Sequence, residues 1–219
     1  MLLLLVRHAI TGVTGQKLTG RLPGFSLSEE GRAQAEAVGA RLKGAPLNAI
    51  YSSPLERCME TAESIAKHHR VRVESLADME EVDYGRWQGR SMKALYGSKA
   101  WTQLRARPAD FRFPGGETIR EAQVRGMRAV EALRQKHPKR AVLVCSHADM
   151  IRLVVAGYLG LGLDLYDRIS IAPASVTTLN VGDGTPRLLN LGDSGSMLEI
   201  FEAFKAQHMK KARDSKKRR

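Results

Sequence analysis

Cysteine is scarce in this chain. Cys58 and Cys145 are the only two among 219 residues, and each lies in a stretch that reads as buried. No disulfide framework is available to staple the fold, so a reducing, cytoplasmic setting is expected. Long hydrophobic runs are missing as well. Leu2 to Val6 is apolar but short, and Arg7-His8 follows it directly. It has neither the basic start nor the length of a secretory leader. No run approaches the roughly 18 apolar residues of a membrane span, and no membrane partner is expected. No spacing of His, Asp or Glu resembles a metal-binding helix or loop, so no metal and no other cofactor is expected. Internal repeats are absent, and low complexity is confined to the C-terminus.

What is present begins with length and charge. A chain of 219 residues favours one compact domain with a sizeable core. The formal net charge is +12, but it is unevenly spread. Lys205, Lys210, Lys211, Arg213, Lys216, Lys217, Arg218 and Arg219 face a single acid, Asp214, so residues 205–219 carry +7 and the remainder +5. A basic terminus without apolar periodicity reads as a disordered, solvated tail. Contact with nucleic acid through that tail is the less favoured reading. The +5 of the body (residues 1–204) suits an anionic substrate.

Leu2 to Val6 and Ala141 to Cys145 fit central strands of a parallel sheet covered on both faces. Ala49 to Tyr51 and Val71 to Val73 read as shorter strands. Val176 to Val181 and Arg187 to Leu191 read as a closing pair around Gly182-Asp183-Gly184. Helical patterns cover Ser28 to Leu42, Pro54 to His69, Met92 to Arg105, Glu117 to Lys136 and His147 to Leu159, and another starts near Met197. Strands alternating with helices of this length predict an open, mostly parallel α/β sheet. The stretch of about 91–114, with Pro108 and Pro114 at its end, reads as a small cap.

In such sheets ligands bind beyond the carboxyl ends of the strands, and four polar clusters are placed there. Arg7-His8 ends the first strand. Ser52-Ser53-Pro54-Leu55-Glu56-Arg57 opens a helix, with Ser53 as an expected cap and Glu56 completing a capping box. Arg57 near that helix start opposes the helix dipole unless an anion is bound. Ser146-His147-Ala148-Asp149 opens another helix, with Ser146 and Asp149 as expected capping groups. Glu80-Glu81-Val82-Asp83-Tyr84-Gly85-Arg86-Trp87-Gln88-Gly89 is an acidic, turn-rich stretch. Taken singly, each has a plain structural reading: a surface arginine, an incidental histidine, a solvated acidic loop. Together they supply what metal-free phosphoryl transfer needs: fixed positive charge, a neutral imidazole and a general acid.

These clusters, with Gly115-Gly116-Glu117-Thr118 and in this order along the chain, resemble the histidine phosphatase (phosphoglycerate mutase-like) superfamily. The resemblance implies a three-layer α/β/α sandwich and a two-step reaction through a phosphohistidine on a small phosphorylated metabolite. It implies that His8 is the nucleophile, that Glu81 is the acid/base with Glu80 as its rival, and that Arg7, Arg57 and His147 hold the phosphoryl group. Thr11 and the backbone at Ala148 are expected to assist. Ala9 and Ala148 stand where the family usually has glycine, and Thr14 where many members carry a phosphate-binding asparagine. The family contains phosphatases and mutases. Only 36 positions separate Glu81 from Glu117, which is short for a water-excluding mutase lid, so a phosphatase is favoured. A phosphoglycerate mutase-type transfer and a non-catalytic phosphate-binding protein are the alternatives. A homodimer is compatible with the sequence but not specified by it. Substrate choice is assigned to the Thr11 to Phe25 loop, the cap and the loop near Pro173, with Arg21, Arg86, Arg105 and Arg112 as candidates for a second anionic group.

Overall fold

The computed structural model describes residues 1–182 and 184–195. The expected helix near Met197 and the basic tail lie outside them. Six strands form one sheet: β1 (Leu2–Arg7), β2 (Leu47–Ser52), β3 (Val73–Ser75), β4 (Ala141–Ser146), β5 (Val176–Asn180) and β6 (Arg187–Asp193), in the order β3-β2-β4-β1-β5-β6. The first four positions in that order are parallel, and β5 and β6 complete the sheet as an antiparallel pair.

The continuous apolar run of β1 is explained by its two covered faces. Leu3 and Leu5 enter one core, with residues of the helices α5 (Ile119–Lys136) and α6 (Ala148–Leu159). Leu4 and Val6 enter the other, with α1 (Glu29–Leu42) and α2 (Glu56–Ala66). Each fully buried side chain of this kind contributes about 1.5–3 kcal/mol of transfer free energy. The result is the expected three-layer α/β/α arrangement.

Three expectations need correction. The helix over Met92 to Arg105 is two helices, α3 (Met92–Tyr96) and α4 (Lys99–Ala106). Ser98 interrupts them by accepting a hydrogen bond from the Trp101 N–H, which caps α4. The third strand lies at Val73–Ser75, later than read, because Ile50 to Ser52 of β2 pair with that segment. The helix after β2 starts at Glu56 rather than Pro54 and has no side-chain cap. The cap itself is held down by aromatic contacts: Trp87 stacks on Trp101 and packs against Phe111 and Phe113.

Candidate active site

Three neighbouring parallel strands, β2, β4 and β1, end side by side, and the next residue of each enters the site. Backbone bonds tie these residues together: the Ser53 N–H donates to the Cys145 carbonyl and the His8 N–H to the Ser146 carbonyl, each at 2.9 Å. Ser53, His147 and His8 therefore share one sheet edge. The His8 and His147 rings lie with centroids 5.3 Å apart. A cleft of about 400 Å³ opens above them, lined among others by Arg7, His8, Thr11, Arg57, Glu81 and His147.

His8 is held by its Nδ1, 2.7 Å from the Ala9 carbonyl. A carbonyl can only accept, so Nδ1 carries the proton and Nε2 keeps its lone pair. Burial, with Arg7 and Arg57 nearby, holds the imidazole well below its ordinary pKa, so it stays neutral. Arg57 is 1% exposed, close to the start of α2. One Nη donates to the Gly20 carbonyl at 2.6 Å and approaches Nδ1 of His147 at 3.3 Å. Its Nε and other Nη, and the Nε of Arg7, are buried with no partner among the described residues. Burying unpaired guanidinium donors is costly, and three of them beside one cleft fit an oxyanion with several oxygens.

His147 is fully buried. Its Nδ1 accepts from Arg57, so its Nε2 donates to Ser53 Oγ at 2.8 Å. Ser53 therefore holds His147 instead of capping α2. Ser146 does not cap α6 either; its hydroxyl donates to the Met79 carbonyl at 2.6 Å. Asp149 is not a cap: it accepts from Tyr84 Oη and from an Nη of Arg152, each at 2.7 Å. Thr11 is buried, and its N–H donates to Thr14 Oγ1 at 2.8 Å. Thr14 lines the same cleft, and Ala148 forms its wall at the first position of α6.

Of the two adjacent glutamates, Glu81 faces the cleft, whereas Glu80 pairs with Arg21 at 3.6 Å. Glu81 Oε1 accepts from the backbone N–H groups of Val82 at 3.0 Å and Met150 at 3.2 Å. Those bonds favour the carboxylate. Burial and the charge of Asp149 outweigh them and push its pKa up to about 7.

The loop carrying Glu81 is fixed from behind by a network that sequence reasoning missed. Glu117 Oε1 accepts from Arg21 Nη2, Arg125 Nη2 and the Asp83 N–H, each at 2.8 Å. Arg21 Nε and Arg125 Nη2 also donate to the Glu81 carbonyl, at 2.8 and 3.2 Å. Arg21 is thus committed to this clamp rather than to a second anion. Arg112 pairs with Glu121, Arg86 is exposed outside the cleft, and Pro173 lines a different hollow. Of the four candidate arginines only Arg105 lines the cleft, paired with Asp167. The pair Gly115-Gly116 was a usable signal. The loop at Asp83 passes so close to Gly116 that a Cβ there would meet the Asp83 carbonyl oxygen at 2.2 Å.

The profile of the histidine phosphatase superfamily (branch 1) matches residues 3–194. Phosphoserine phosphatase 1 of Hydrogenobacter thermophilus is 29% identical over 213 residues, covering 93% of this chain and 98% of that one. A 2,3-bisphosphoglycerate-dependent phosphoglycerate mutase of Thermoplasma acidophilum is 27% identical over 194 residues, covering 86% and 90%. Among solved structures, Bacillus stearothermophilus YhfR superposes with a TM-score of 0.82 at 26% identity, covering 88% of this chain and 96% of that one. The match runs through both ends of the sheet and through every strand that feeds the cleft, and on that ground the chain belongs to branch 1 of the histidine phosphatase superfamily and is a phosphoric monoester hydrolase.

Proposed function

We propose that the cleft hydrolyses small phosphomonoesters in two transfers, with His8 as the nucleophile and Glu81 as the proton carrier. In the first transfer the Nε2 lone pair forms a bond to phosphorus, the ester P–O bond breaks, and the departing alkoxide takes the Glu81 proton. In the second, water attacks phosphorus, Glu81 as carboxylate takes the water proton, and the P–N bond breaks to return neutral His8 and inorganic phosphate. Arg7 and Arg57 stabilise the non-bridging oxygens through their unpartnered donors, His147 joins them when its Nε2–H turns from Ser53 Oγ to a phosphoryl oxygen, and Thr11 and the backbone at Ala148 assist. The observation that carries this reading is the His8 Nδ1 bond to the Ala9 carbonyl, which leaves Nε2 as a free base. His8→Ala is expected to abolish turnover of 4-nitrophenyl phosphate together with the acid-labile phosphoenzyme. Retained turnover would reject the assignment.

The substrate class belongs to the same proposal. The cleft holds Asp167 beside Lys17 and Arg105, and one wall comes from Met92, Tyr96, Trp101 and Leu104 of the cap. That mixture suits a small metabolite bearing its own charges, as in the phosphoserine of the Hydrogenobacter relative's name. A panel of phosphoserine, sugar phosphates, phosphoglycerates and nucleotide precursors ranks the choices by kcat/KM. A mutase reading has support in the similarity to the Thermoplasma protein. It predicts interconversion of 2- and 3-phosphoglycerate faster than phosphate release. The short path from Glu81 to Glu117 favours release. A cytoplasmic setting is also proposed; Cys58 and Cys145 are both free thiols and buried.

A further inference from the structure

Both transfers ask opposite things of Glu81. It must arrive carrying a proton and then lose it, and its immediate surroundings pull against the first requirement. Arg7 of β1 and Arg57 of α2 act on its charge across the cleft. Arg21, from the loop before α1, and Arg125 of α5 donate to its carbonyl. The Val82 and Met150 N–H groups hold its carboxylate oxygen. Neutral His8 and His147 add no charge, Glu80 turns away to Arg21, and Tyr166, from the turn at Leu163–Arg168, approaches as a phenol. Arg21 and Arg125 are themselves paired with Glu117, so among the described residues the cations that act on the Glu81 carboxyl without a carboxylate partner of their own are Arg7 and Arg57.

Asp149 acts the other way. It stands in the first turn of α6, and its own N–H donates to Glu81 Oε2 at 3.5 Å, a long bond that favours the carboxylate and is outweighed by the charge of its side chain. Its side chain is fixed by two donors, Tyr84 Oη on one oxygen and Arg152 on the other. Arg152 is itself anchored on the Ile169 carbonyl at 2.8 Å. Gripped in this way the carboxylate keeps one orientation, and its charge acts on Glu81 as well as on Arg7.

We propose that Asp149 is a positioning residue for the proton: its carboxylate, held by Tyr84 and Arg152, keeps Glu81 in the proton-carrying form until the leaving alkoxide takes that proton. The role assigned to Asp149 is exercised through Glu81 and requires no contact with a reacting atom. The inference rests on Glu81 being the acid of the reading above and deepens it. The upward shift of Glu81 to about 7, caused first by burial and second by Asp149, agrees in direction.

The test uses two esters. A 4-nitrophenyl leaving group departs without a proton, whereas an alkyl phosphate such as phosphoserine needs one. In Asp149→Asn the fall of kcat/KM for the alkyl ester at high pH is expected to begin about one pH unit lower than in the wild type. At pH 8 the alkyl-to-aryl ratio of kcat/KM is then expected to drop about tenfold. Asp149→Ser removes the same charge with a smaller side chain and is expected to move the limb the same way. It takes over if the asparagine variant does not fold. An infrared titration of the carboxyl band that disappears in Glu81→Gln reads the same shift without turnover. Equal losses on both esters, with the limb and the carboxyl band unmoved, would overturn the proposal and leave the His8 assignment standing. Loss of His8-dependent phosphoenzyme in the wild type would instead strike the underlying reading.

Discussion

At the scale of the residue, the division of labour between Glu81 and His8 follows from burial acting on groups of opposite charge type. Burial discourages ionisation, so it raises the carboxyl and lowers the imidazole. Each therefore favours the neutral form that the proposed first transfer needs, Glu81 below about pH 7. Glu81→Gln is expected to cut alkyl-ester kcat/KM by about 10²–10⁴-fold and to affect 4-nitrophenyl phosphate far less, which parallel initial-rate assays check. For the wild type, alkyl-ester kcat/KM is expected to fall as pH rises through about 7, because the required acid form of Glu81 is then lost. Arg7, His8 and Arg57 could be picked out in the sequence because cations at a strand end or helix start are locally unfavourable without an anion. Ser53 and Ser146 were misread as caps. A cap contributes about 1 kcal/mol, and the need to satisfy a buried imidazole and a buried carbonyl prevailed. Asp149 and Tyr84 could not be paired from sequence, since 65 positions separate them.

At the scale of the element, the loop bearing Glu81 is placed by a strap of charge rather than by secondary structure. Glu117 and Arg125 meet with side chains only 15% and 14% exposed. Removing Arg125 leaves Glu117 with Arg21 as its remaining cation, so the cost is that of lost hydrogen bonds to a charged group, about 1–3 kcal/mol. Arg125→Met is accordingly expected to lower the unfolding midpoint by about 2–12 °C for a chain of this size, read by calorimetry. The same variant should lower kcat more than it raises KM, because it loosens the acid and not the phosphate site. Elements with a strong local signal, such as the apolar stripe of α5 and the continuous apolar run of β4, were legible almost to the residue. The break between α3 and α4 was not. It depends on a serine cap whose helix packs on Trp87, a partner outside the segment.

At the scale of the whole molecule, the two buried histidines and Glu81 tilt stability in opposite directions with pH. His8 and His147 lie well below the ordinary 6.5, so their contribution is present above that value and is lost on acidification. Glu81 is raised from 4.5 to about 7. Its contribution is full below 4.5 and disappears as pH rises through 7, a swing of about 3 kcal/mol. Glu81→Gln should therefore gain stability over the wild type between pH 5 and 8, measured by denaturant unfolding at several pH values. The layered fold was legible as a whole because alternating apolar strands and helices allow few other solutions. The basic C-terminus lies outside the described residues. Removing residues 205–219 is expected to leave turnover of a small ester unchanged, while any binding to RNA disappears. The tether between His8 and the Ala9 carbonyl has a last, chemical consequence. Because that nitrogen never gives up its hydrogen, the trapped covalent species can only be the tele isomer, and antibodies raised against the pros isomer should fail to stain it.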